Sequence, residues 1–119
     1  MELVKIYELG SETRYRYKFN KEPLTLCKNI FSLSNYNIDK VNVTTTYNSS
    51  RPCITSNIIS IKELDEYVNT GKVVVITFKG FYHNNYVQFT INFDLLALFV
   101  IGKQQVVEDL ITILNEKGF

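Results

Sequence analysis

The chain has 119 residues, a length that fits one domain. Hydrophobic residues make up 45% and charged residues 21%, ordinary values for a globular chain, which excludes collagen-like, coiled-coil and wholly disordered readings. Thirteen Lys plus Arg against twelve Asp plus Glu leave +1, so any charge-driven binding has to come from a local patch.

Residues 2–9 and 13–19 read as a hairpin whose turn, Gly10-Ser11, suits the type II′ geometry because glycine accepts positive φ. That register pairs Ile6 with Tyr15 and Val4 with Tyr17, and places Lys5 opposite Arg16. A three-residue turn would instead pair Glu8 with Arg14; the first register is preferred. After Pro23, Leu26, Ile30 and Leu33 recur at helical spacing, which predicts a short amphipathic helix over 24–33. Residues 39–47 alternate Val41, Val43, Thr45 and Tyr47 with Asn42, Thr44 and Thr46, and so predict a strand. The stretch from Asn48 to Asn57, with Ser49-Ser50-Arg51-Pro52, reads as one surface loop.

Ser60-Ile61-Lys62-Glu63 is a capping box that opens a second helix, with Ile61, Leu64 and Val68 on one face and Gly71 as its left-handed stop. Residues 72–93 form a hairpin about Asn84-Asn85, with the pairs Tyr82–Val87, Gly80–Phe89, Phe78–Ile91 and Ile76–Phe93 on an apolar face. In that register Phe89 covers Gly80, and His83–Tyr86 and Phe81–Gln88 lie on the polar face. Leu95 to Ile101 is a continuous apolar run suited to a buried central strand, although periodicity alone leaves a helical turn open. A last helix over 103–117 carries Val106, Leu110, Ile113 and Leu114 on one stripe, and Gly118 follows it.

The expected fold is therefore a single α+β domain over residues 1–119, in the order ββαβαβββα. It has a mainly antiparallel sheet of about six strands, with two or three helices on one face and the other face open.

The usual reagents of catalysis are scarce. His83 is the one histidine, neither a Walker nor a dinucleotide-binding glycine motif occurs, and Cys27 and Cys53 with His83 fall short of four zinc ligands. The carboxylates Glu63, Asp65, Glu66, Glu108 and Asp109 are accounted for as complements to helix N-termini. No enzyme activity, cofactor or metal is expected. Two cysteines are too few for a disulfide scaffold, and the N-terminal residues lack a signal-peptide pattern, so a cytoplasmic location is expected. Twelve Asn, twelve Ile and ten Lys beside a lone Ala97 match AT-rich codons and point to a bacterial or viral low-GC genome.

Two surfaces could meet a partner. One is the open sheet face, with Thr77, Lys79, Phe81, His83, Tyr86 and Gln88 beside Asn42, Thr44, Thr46, Thr90 and Asn92, polar and dotted with aromatics. The other is the basic strip Lys5, Arg14, Arg16 and Lys18, whose interleaved Tyr15 and Tyr17 point to the opposite side. The leading expectation is a protein-binding module, of the kind that neutralises a toxin by occluding it (an immunity-type protein). The alternative is single-stranded nucleic-acid binding through the basic hairpin. A membrane partner is not expected, and monomer and homodimer are both open.

Overall fold

A computed structural model describes residues 1–10, 12–46, 54–58, 60–69 and 73–119 of the chain. Within these residues seven strands form one antiparallel sheet: β1 (Glu2–Leu9), β2 (Glu12–Lys18), β3 (Tyr36–Thr45), β4 (Ile54–Ile58), β5 (Val73–Tyr82), β6 (Asn85–Asn92) and β7 (Ala97–Ile101). Three helices accompany them, α1 (Pro23–Phe31), α2 (Ile61–Asn69) and α3 (Gln104–Glu116). The spatial order is β1-β2-β7-β6-β5-β3-β4. The α+β architecture is as the sequence implies, but the element order is ββαββαβββα.

The additional strand is β4. Its residues 54–57 belong to the stretch expected to be a loop, and they pair with β3 from Val41↔Ile58 to Thr45↔Ile54. A polar five-residue segment carries too little alternation to stand out, and it becomes a strand because β3 offers it a ladder. Residues 48–53 of that expected loop, with Cys53, lie outside the described residues, as do Ser11 and Gly71.

The period-two pattern sorts β2, β3, β5, β6 and β7 into two faces. Tyr15, Tyr17, Val41, Val43, Ile76, Phe78, Val87, Phe89, Ile91, Leu98 and Val100 are buried on one side, against Leu26, Cys27 and Ile30 of α1, Leu64 of α2, and Val107, Leu110, Ile111 and Leu114 of α3. Among the described residues the buried side chains are apolar or aromatic, tyrosines and Cys27 included. T-shaped contacts tie rings together, Phe31 of α1 with Phe78 of β5 (5.1 Å) and Tyr36 of β3 with Phe89 of β6 (5.3 Å).

Local signals explain the element ends. Pro23 opens α1, where its missing N–H is no loss. The Glu63 N–H donates to Ser60 Oγ (3.2 Å), while the Ser60 hydroxyl, rather than its N–H, is the group near the Glu63 carboxylate. Gly118 (φ +106) closes α3 in a Schellman arrangement, with the Phe119 N–H donating to the Leu114 carbonyl and the Gly118 N–H to that of Asn115. The apolar run starts as a turn. Asn92 Oδ1 accepts from the N–H groups of Asp94 (3.0 Å) and Leu95 (2.9 Å), Leu96 takes φ +50, and β7 begins only at Ala97.

Two expected registers are corrected. In the first hairpin Ile6↔Tyr15 and Lys5↔Arg16 stand, but a bulge shifts the pairing so that Leu3, not Val4, faces Tyr17. In the β5–β6 hairpin the turn is His83-Asn84, with φ +47 and +65, rather than Asn84-Asn85. Asn85 Nδ2 donates back to the carbonyls of Tyr82 (3.3 Å) and His83 (3.0 Å), which fixes the earlier turn. Partners therefore move by two residues, to Gly80↔Val87, Phe78↔Phe89 and Ile76↔Ile91, and a shift of two keeps every side chain on its face. Gly80 is consequently not covered by Phe89. A Cβ there would sit 2.4 Å from the Asn37 carbonyl oxygen, where β3 bulges between Ile38 and Lys40.

Candidate functional site: the open sheet face

β2 is hydrogen-bonded to β7, deep in the sheet, and this pairing decides the geometry of the site. With Tyr15 and Tyr17 buried under the helices, Arg14, Arg16 and Lys18 must point to the other side, the side that also carries Thr77, Lys79, Phe81, Tyr86 and Gln88. The basic strip and the polar aromatic face are one surface. A single row, Lys5–Arg16–Phe99–Thr90–Thr77–Asn42–Asn57, crosses all seven strands. The next row runs Tyr7–Arg14–Ile101–Gln88–Lys79–Lys40.

His83 is the exception among the expected site residues. The turn shift removes it from the strand and leaves it exposed at the hairpin tip. Conversely Phe99, Ile101, Tyr7 and Lys40 join the face without having been expected there. The signal for Phe99 and Ile101 was their alternation with Leu98 and Val100, which a continuous apolar run conceals.

Side chains on this face are tied to each other. The Tyr86 hydroxyl donates to Gln88 Oε1 (3.0 Å), Gln88 Nε2 donates to Thr90 Oγ1 (3.4 Å), and Thr90 and Thr77 hydroxyls lie 3.4 Å apart. Phe81 and Tyr86, 44% and 42% exposed, meet edge to face at 5.7 Å. Burial, and the charges of Glu12 and Asp39, raise the Tyr86 phenol above its usual range, so the hydroxyl remains a donor. Arg14, Gln88, Thr90, Phe99 and Ile101 line a shallow depression of about 280 Å³.

The charges are placed unusually. Six cations, Lys5, Arg14, Arg16, Lys18, Lys40 and Lys79, share the face with Glu2, Glu12 and Asp39 at its margins, in a chain whose net charge is only +1. Two pairs of like charges sit directly opposite one another, Lys5↔Arg16 and Lys40↔Lys79. Among the described residues the ion pair present is Lys28–Asp65, elsewhere on the molecule; none of the six cations is in an ion pair, although Glu2 lies directly opposite Lys18. Two of them rest on rings instead: Arg16 lies 5.6 Å from the Phe99 centroid and Lys5 4.7 Å from that of Tyr7.

The reactive side chains are placed elsewhere. Cys27 is fully buried in the core, and burial pushes its thiol pKa up, the opposite of what a nucleophile needs. Among the described residues no group of three or more His, Cys, Asp and Glu side chains converges on a common point. No described helix is long and apolar enough to cross a membrane. No protein-family profile, curated protein or solved structure matches the chain significantly.

Proposed function

We propose that this chain is a non-enzymatic protein-binding module that docks its open sheet face on an acidic surface of a partner protein. It would act in the cytoplasm of an AT-rich bacterium as an immunity-type protein that neutralises a toxin by covering it. The observation that carries this reading is the pair of like-charge contacts, Lys5↔Arg16 and Lys40↔Lys79, on the uncovered face. Like charges directly opposite on a sheet destabilise it, so their presence without internal counter-ions is accounted for by an anionic partner. The exposed Phe81–Tyr86 pair and the amide and hydroxyl ladder beside it supply the contact area and hydrogen bonds that protein recognition favours.

A second reading, single-stranded nucleic acid along the same face, is favoured by one fact: rings and cations now share a side, whereas Tyr15 and Tyr17 do not. One feature favours protein over it: the rings nearest the cations, Phe99 and Tyr7, are already occupied by Arg16 and Lys5.

The test is affinity capture from the native source with the wild-type chain and with a variant carrying Thr77→Glu, Phe81→Asp, Tyr86→Asp and Gln88→Glu. A protein held by the first and released by the second, with its activity blocked on binding, is the expected result. Equal retention by both, or retention of nucleic acid lost steeply with salt, contradicts the reading.

A further inference from the structure

The two edges of the sheet are built differently. β4 is a short edge of five residues, with polar Ser56 and Asn57 and a buried Ile58. β1 has eight residues and a neighbour on one side only, among the described residues. Leu3, Val4 and Ile6 are 48%, 52% and 47% exposed. Leu3 and Ile6 pair with buried Tyr17 and Tyr15, so they stand on the helix side of the sheet, yet they stay exposed there. The opposite side of the same strand carries Lys5, with Arg16 and Arg14 on the adjoining strand. Beyond the bulge, Lys5 to Leu9 pairs regularly with β2, leaving a stretch whose outer backbone groups have no strand partner among the described residues.

We propose that β1 receives an extended segment of a partner protein as an eighth, outer strand, and that this segment alternates acidic with apolar residues. In a strand, alternate side chains face opposite sides. Acidic residues would therefore line up beside Lys5, Arg14 and Arg16, while the apolar ones cover Ile6, Val4 and Leu3. A second copy of this chain fits poorly, because a twofold antiparallel pairing of β1 brings the Lys5, Arg14 and Arg16 clusters of both copies together. This assignment is independent of whether a folded partner docks on the middle of the open face.

The experiment uses the full chain and a capped peptide of alternating glutamate and valine, as long as β1, with a lysine–valine peptide as control. Amide exchange is followed by NMR. The expected result is slowed exchange over Lys5–Leu9 with the glutamate peptide alone. Lys5→Glu should weaken that complex about tenfold or more and admit the lysine peptide. Ile6→Asp, at an exposed position, should also lose the complex, whereas Phe81→Asp/Tyr86→Asp should leave it unchanged even if those changes abolish capture of a folded partner. The assignment is overturned if the glutamate peptide does not protect β1 or if both peptides bind equally. It is also overturned if Phe81→Asp/Tyr86→Asp removes binding while Lys5→Glu does not, or if the free chain dimerises with β1 already protected.

Discussion

Gly80 and Tyr36 mark where single residues hold the site in place. Gly80 lets the bulged backbone of β3 lie against β5, since a Cβ would meet the Asn37 carbonyl oxygen at 2.4 Å. The position of a Cβ is fixed by its own backbone and the oxygen it meets is backbone, so neither can rotate away. Gly80→Ala is expected to destabilise the fold by about 2–3 kcal/mol, read from the midpoint of urea unfolding. The buried Tyr36 hydroxyl donates to the Val87 carbonyl at 2.8 Å, joining β3 to β6 across the core side of the sheet. Burial raises its pKa, and raises those of Cys27, Tyr15 and Tyr17 as well. A raised pKa means the folded state holds its proton more tightly, so its contribution is complete below the unfolded pKa and is lost as pH climbs above it. The contribution of these groups should therefore be constant to about pH 8 and fall from there, first through the thiol and then through the phenols above about pH 10. Tyr36→Phe should cost about 1 kcal/mol near neutrality and reduce the slope of the alkaline fall; an unchanged slope in a pH series of unfolding midpoints would contradict this.

Between elements, the two faces of the strands were legible in the sequence while their partners were not. The turn of the β5–β6 hairpin lies one residue earlier than the asparagine pair suggests, because Asn85 is used to clip the turn rather than to form it. The face assignment survived, since side-chain direction depends on parity and the partners moved by two. His83 was lost from the site for the same reason. β4 escaped notice because its stability comes from β3, a contact that no local pattern announces. The cross-strand charges are the energetic counterpart of this pairing. Lys79 faces Lys40, with no carboxylate partner on either among the described residues. Lys79→Thr, which removes the repulsion and places a good strand former beside Thr77, should stabilise the isolated chain by about 0.5 kcal/mol. The gain should shrink in high salt, where the wild-type repulsion is screened; a loss of stability in thermal unfolding would contradict it.

At the scale of the molecule, one asymmetry organises the rest. Three helices and the inward faces of the strands make one core, and the other side of the same sheet is left polar, aromatic and cationic. The basic hairpin and the polar face could be read separately from the sequence, each from its own alternation. Their union could not, because it depends on β2 lying beside β7, a pairing between distant parts of the chain. An apolar run at Leu95–Ile101 also concealed that Phe99 and Ile101 face outward between Arg14, Arg16 and Gln88. The most direct measurement is a titration of the partner captured by the wild-type chain against Arg16→Thr/Lys79→Thr, which removes one cation from each like-charge pair and leaves the helix side untouched. Docking through this face predicts affinity reduced about tenfold or more, with a shallower dependence on salt. An affinity and salt dependence equal to those of the wild type would contradict it.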